Sequence, residues 1–139
     1  MAKITTPKTH VQRLYLRENN MNITYEGSCH CQKVQYSITM EMPIKKVISC
    51  NCSICSKKGT LLAFIPKANF TLLSGENVLT DYQFNQKIIH HYFCSCCGVT
   101  SFGVGKMPDG SEIRAINVRC LKEINIDELE VKKFNGKEM

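Results

Sequence analysis

The chain has 139 residues, enough for one domain with a modest core, and 43% of them are hydrophobic, an ordinary globular share. Its 18 basic and 12 acidic residues leave a net charge of +6, but the basic pairs ("IKKV", "SKKG", "VKKF") are scattered and form no stripe that could neutralise a row of phosphates. No apolar run approaches bilayer-spanning length and no secretory pattern opens the chain, so the expectation is a cytoplasmic protein with neither a membrane nor a nucleic acid as partner. The charge still suits a small anionic ligand.

"MAKITTPKTHVQRLYLRENN" has the character of a polar leader, either a genuine arm or an over-long start. Met21 stands just before the first strand-like pattern, which places a single domain over residues 22–139 and the leader over 1–21. "KVQYSIT" alternates polar and apolar residues and predicts a strand. "TLLAFIP" is a short apolar run closed by Pro66, and "NFTLLSG" ends in a Ser-Gly turn. "KIIHHYF" and "EIRAINV" alternate in part, and "MPDGSE" supplies a Pro-Asp-Gly turn between them. "INIDELEVKKF" has room for one short helical turn at most, and "NGKEM" is expected to fray. Short strands separated by turns, with no sustained helical spacing, predict a mainly β domain.

Nine cysteines in a chain without a secretory pattern argue for metal or redox chemistry over disulfides. Eight of them fall into three clusters: Cys29 and Cys31; Cys50, Cys52 and Cys55; and Cys94, Cys96 and Cys97. Zinc takes four thiolates tetrahedrally, and short spacings let one turn supply two of them. Cys94 and Cys97 form such a C-x-x-C, followed by Gly98, which can adopt the positive φ needed to curl around a metal. Thioredoxin-like redox sites use the same spacing but lie in a βαβ setting that this chain lacks, and iron–sulfur chemistry is disfavoured by spacings unlike those of ferredoxins. Two pairs complete one closed, structural site. The remaining trio would hold a metal by three thiolates and leave one position open. Such a zinc is a soft Lewis acid, better suited to activating a thiol than to making hydroxide.

"GSCHCQKVQY", "CNCSICSKKG" and "HYFCSCCGVTSFG" resemble, in order and spacing, the three motifs of the glutathione-dependent formaldehyde-activating enzyme family, which includes centromere protein V. The resemblance extends through "FTLLSGENVLTDYQF" and "PDGSEIRAINVRCL" and covers roughly residues 23–134. It implies a tent-like fold of mostly antiparallel sheets. It also implies a structural zinc on Cys29, Cys31, Cys94 and Cys97 and a catalytic zinc on Cys50, Cys52 and Cys55. The implied activity is that of a carbon–sulfur lyase joining glutathione, as co-substrate, to formaldehyde. Lys57 and Lys58 beside the trio would meet the glutathione carboxylates, or stand as solvated lysines on a loop. The competing reading is a zinc-stabilised β binding module without catalysis, like centromere protein V, which needs the closed site alone.

Other residues carry weaker expectations. His30, between two ligands, should point away from the metal. His90 and His91 fall on opposite faces of a strand, and His91 could assist near the trio or fill the core. Cys96 and Cys120 should stand outside both metal sites, Cys120 as a small buried hydrophobe. Tyr82, Phe84, Tyr92, Phe93 and Phe102 build the core or line a pocket.

Overall fold

The structure, a computed structural model, describes residues 22–138; the polar leader at 1–21 lies outside them. Its core is set by alternation in two paired strands. In β1 (Ile23–Ser28) the residues Ile23, Tyr25 and Gly27 turn inward, and in β2 (Gln35–Met40) Tyr36 and Ile38 do the same. The two strands pair antiparallel with Gly27 opposite Tyr36, and β5 (Phe70–Ser74) adds to the other edge of β2. The result is a three-stranded sheet in the order β1-β2-β5.

A second sheet of seven strands covers it. It is built from β3 (Lys46–Cys50), β4 (Leu62–Pro66), β6 (Leu79–Tyr82), β7 (His90–Cys94), β8 (Phe102–Lys106), β9 (Glu112–Asn117) and β10 (Glu130–Phe134). The strand order is β10-β3-β4-β9-β8-β7-β6. Every pairing in it is antiparallel except that of β10 with β3, which makes the sheet mixed. Aromatic rings fill the space between the sheets: Tyr36 stacks on Phe70 at 5.3 Å between ring centres, and Phe102 approaches Phe70 to 4.7 Å. The Tyr36 hydroxyl, fully buried, donates to the Ser101 carbonyl at 3.4 Å, so this large ring is anchored across the core at both ends.

The C-terminal region departs from its sequence reading in one place and adds a strand to another. "INIDELEVKKF" does contain a single short turn, a 3-10 turn at Ile126–Glu128, but a full strand, β10, follows it. All five residues of β10 are exposed, so it has no buried face and shows no alternation. "NGKEM" was expected to fray; instead residues 135–137 are hydrogen-bonded to Asn51, and a second 3-10 turn covers Gly136–Glu138. "KIIHHYF" also yields less strand than its pattern suggests, because β7 begins only at His90 and Ile88 and Ile89 are exposed.

The close pairing of β1 and β2 leaves no room at Gly27. A Cβ there would overlap the ring of Tyr36 and lie 2.6 Å from its hydroxyl oxygen. Gly27→Ala should therefore destabilise the domain by about 1–3 kcal/mol, the usual cost of forcing extra volume into a packed core. Denaturant unfolding of the two proteins checks this.

Candidate functional site

Cys29 follows β1 directly, and a tight turn carries the chain through Cys31 to Val34 before β2 begins. In that turn the Cys29 N–H donates to the Val34 carbonyl at 3.1 Å and the Gln32 N–H to the Cys29 carbonyl at 3.2 Å. The end of β7 builds a similar turn. There the Cys94 N–H donates to the Val99 carbonyl at 3.1 Å and the Gly98 N–H to the Cys94 carbonyl at 2.7 Å. Gly98 has φ +80°, the left-handed conformation that the sequence assigned to it. The two turns belong to different sheets and face one another.

Their four sulfurs, from Cys29, Cys31, Cys94 and Cys97, all lie within 4.8 Å of one another. Cys29 Sγ is 3.5 Å from Cys31 Sγ, which is 3.7 Å from Cys94 Sγ. A tetrahedron with metal–sulfur bonds of about 2.3 Å has edges of about 3.8 Å, so the spacing fits one zinc-sized ion. Protonation points the same way. Backbone N–H groups of Cys31 and Val99 hold the Cys97 thiol down to about 6. The Lys33 N–H favours the Cys31 thiolate, yet burial and the neighbouring sulfurs outweigh it and push Cys31 up to about 12. Four thiolates cannot coexist at such spacing without a cation, and a divalent metal removes that conflict.

Cys50 ends β3, and Cys52 and Cys55 follow in the turn that leads into α1 (Cys55–Lys58). Gly59, at φ +67°, stops the helix and donates its N–H to the Cys55 carbonyl at 2.9 Å. The three sulfurs again lie within 4.8 Å of one another. Backbone N–H groups point at two of them: that of Cys52 donates to Cys50 Sγ at 3.4 Å, and that of Cys55 to Cys52 Sγ at 3.5 Å. At Cys52, burial opposes ionisation, but N–H groups and neighbouring thiols outweigh it and lower the thiol. At Cys55, burial and the Cys52 and Cys50 sulfurs push the thiol up to about 12. This trio is half-buried, and Cys52 borders a cleft of about 580 Å³ that Asn51, Ser53, Ser56, Phe84, Asn85, Gly136 and Lys137 also line. Of the three sulfur-bearing residues, Cys52 is the one that reaches this cleft. All nine cysteines are free thiols, and these two groups are the candidate metal clusters among the described residues.

The remaining sequence candidates separate clearly. Lys58 Nζ donates to Thr100 Oγ1 at 2.6 Å and lies 5.9 Å from the centre of the Phe93 ring. Burial lowers its pKa, and the electrostatic interaction with Cys55 partly offsets that. Lys57 is exposed on α1. His90 and His91 do face opposite ways. His90 pairs with Asp81 at 2.6 Å and stacks on Tyr92, whereas His91 stacks on Phe84 at 5.2 Å, behind the cleft wall. His30 is exposed, and Cys96 meets Lys33 Nζ at 3.4 Å rather than joining the closed cluster. Cys120 is half-buried against Thr100 and Asn117 and belongs to neither group. Phe102 is core, Phe84 lines the cleft and Tyr82 is half exposed. The sequence reading missed Asn51, Ser53, Ser56, Asn85, Gly136 and Lys137 as cleft residues. The places of Asn51 and Ser53, each between two candidate ligands, could have drawn attention to them.

The sequence of residues 24–133 matches the family profile of the glutathione-dependent formaldehyde-activating enzymes. The chain belongs to that family. Among solved structures it is similar to a protein from Rhodobacter sphaeroides, at 25% identity and a TM-score of 0.66, with 77% of this chain and 99% of that one covered. Family membership agrees with the mainly β fold and with cysteine groups able to bind metal. No helix among the described residues is long and apolar enough to cross a membrane.

Cys29→Ser should lose the metal of the closed cluster and most of the folded protein with it, since structural metal binding is coupled to folding. Cys96→Ser, an exposed change outside the cluster, should keep the same metal content and stay within about 0.5 kcal/mol of the parent. Metal analysis and denaturant unfolding of both variants check the contrast.

His91 supplies a pH prediction. Burial, followed by the nearby Lys58 charge, lowers its pKa in the folded protein. The unfolded chain therefore takes up this proton first, near an ordinary value of about 6.5, and stability falls as pH drops through that region. His91→Gln, which cannot titrate, should lose less stability between neutral and mildly acidic pH than the parent does. Parallel slopes in unfolding experiments across that range would refute this.

Proposed function

We propose that the protein is a zinc-dependent carbon–sulfur lyase that joins glutathione, or a related thiol, to formaldehyde or a similar small aldehyde. The observation that carries this reading is the trio: three sulfurs within 4.8 Å of one another, one of them bordering an open cleft. A binding module would need the closed cluster alone.

In the reaction the thiol sulfur attacks the carbonyl carbon. A carbon–sulfur bond forms as the carbonyl π bond breaks, the electron pair moves to oxygen, and the thiol proton ends there as a hydroxyl. Nothing is oxidised or reduced. Zinc on Cys50, Cys52 and Cys55 would supply positive charge that favours the ionised over the neutral thiol.

The protein's own groups set up the encounter. The N–H groups of Cys52 and Cys55 orient the sulfurs of Cys50 and Cys52. Thr100 and the Phe93 ring hold the Lys58 ammonium close to Cys55, where it adds positive charge. Lys57, exposed beside Lys58 in the single turn of α1, would reach a glutathione carboxylate. The cleft admits a thiol-bearing peptide between the Phe84 side and the C-terminal residues Gly136 and Lys137. The reading places the protein in the cytoplasm, where thiols stay reduced.

Cys52→Ala should reduce thiol-dependent consumption of formaldehyde by at least about 100-fold, because losing a ligand changes the charge, geometry and affinity of the site together, while the closed cluster keeps its metal. Activity of the parent should fall with pH as protons compete with metal for the thiolates. Turnover of glutathione with formaldehyde, followed alongside zinc content, tests both. Full turnover by Cys52→Ala would end the catalytic assignment. No turnover by the parent, with metal in the closed cluster, would favour the binding module.

A further inference from the structure

The C-terminal residues reach the trio through one asparagine. β10 runs parallel to β3 with Phe134 in register with Cys50. Beyond that pair, Asn51 engages the segment with three groups. Its N–H donates to the Phe134 carbonyl at 3.2 Å, and its Nδ2 donates to Asn135 Oδ1 at 2.9 Å. Its Oδ1 accepts from the Lys137 N–H at 3.0 Å. Asn51 stands between Cys50 and Cys52, so these bonds fix the backbone that carries two of the three sulfurs.

Gly136 makes the contact closer still. A Cβ at this position would lie 2.5 Å from Cys50 Sγ and 3.1 Å from Cys52 Cβ. Its φ is not in the left-handed region, so the glycine is demanded by the approach of the sulfur and not by the turn. Gly136 and Lys137 also line the cleft that Cys52 borders. The segment is therefore at once a brace behind two sulfurs and a wall of the cleft.

We infer that residues 134–137 are a positioning device for the trio: they hold Cys50 and Cys52 at metal-binding spacing, and metal binding in turn orders them. The inference rests on the reading that the trio binds a metal. Its physical basis is linkage. If the docked segment raises metal affinity, bound metal must stabilise the docked segment by the same factor. Groups that orient metal ligands without touching the metal are commonly worth about 10–100-fold in affinity.

The test uses the full chain with its closed cluster filled, and follows the second equivalent of zinc by competition against a chelator. Gly136→Ala and Asn135→Ala should each weaken that second equivalent by about 10–100-fold and leave the first unchanged. Cobalt in place of the second zinc should show altered thiolate charge-transfer bands in Gly136→Ala, where the new methyl displaces Cys50 Sγ. Asn135→Asp keeps the oxygen that accepts from Asn51 and should restore the affinity that Asn135→Ala loses. A measurement on the parent alone guards against misfolded variants: hydrogen exchange at the Asn51 and Lys137 amides should slow when the second equivalent binds. Unchanged second-site affinity in folded variants, or exchange indifferent to the second metal, would overturn the inference and leave the trio a metal site. A parent that binds one equivalent only would overturn both.

Discussion

Two sheets must be held face to face by a chain too small for a large core, and the closed group of four sulfurs lies where they meet. Cys29 and Cys31 come from the turn after β1, and Cys94 and Cys97 from the turn after β7. The members of the cluster are up to 68 residues apart in sequence, from Cys29 to Cys97. Joining such distant segments removes much of the freedom of the unfolded chain. The aromatic set of Tyr36, Phe70 and Phe102 fills the same interior. The register of β1 with β2, and the place of β7 in the large sheet, both lead up to this cluster.

The trio depends on that frame but is built on another principle. Its sulfurs come from one short segment, from the end of β3 to the start of α1, so it ties no distant strands together through its own ligands. Its support arrives sideways, from α1, from Thr100 through Lys58, and from the C-terminal residues through Asn51. A group of three with an open side can exchange a ligand without loosening the sheets. On the proposed reading, stability and chemistry fall to separate sites in one small domain.

What the sequence revealed follows from how local each signal is. Cysteine spacing is local and chemically specific, so "CHC", "CNCSIC" and "CSCC" identified the three clusters. Alternation marked β2, one side of which meets the core, a short apolar run closed by Pro66 marked β4, and partial alternation marked β9. β10 has no buried side, and its partner β3 lies some 84 positions earlier in register, Glu130 opposite Lys46. No window of sequence contains that pairing. The close approach of Gly136 to Cys50 was hidden for the same reason, since a glycine near a terminus reads as a loose end until the fold supplies its neighbour. Period alone put His90 and His91 on opposite faces of their strand, but which face meets Phe84 needed the intervening loop.

The central claim is that four sulfurs form a closed structural metal site while three form a separate site open to a thiol. Cadmium-113 NMR of the fully cadmium-substituted protein tests it most directly, because the chemical shift reports how many sulfurs bind each ion. The account predicts two resonances, one from a four-sulfur site and one from a site with three protein sulfurs, with added glutathione moving only the second. A single resonance, or two resonances that both ignore glutathione, would contradict it.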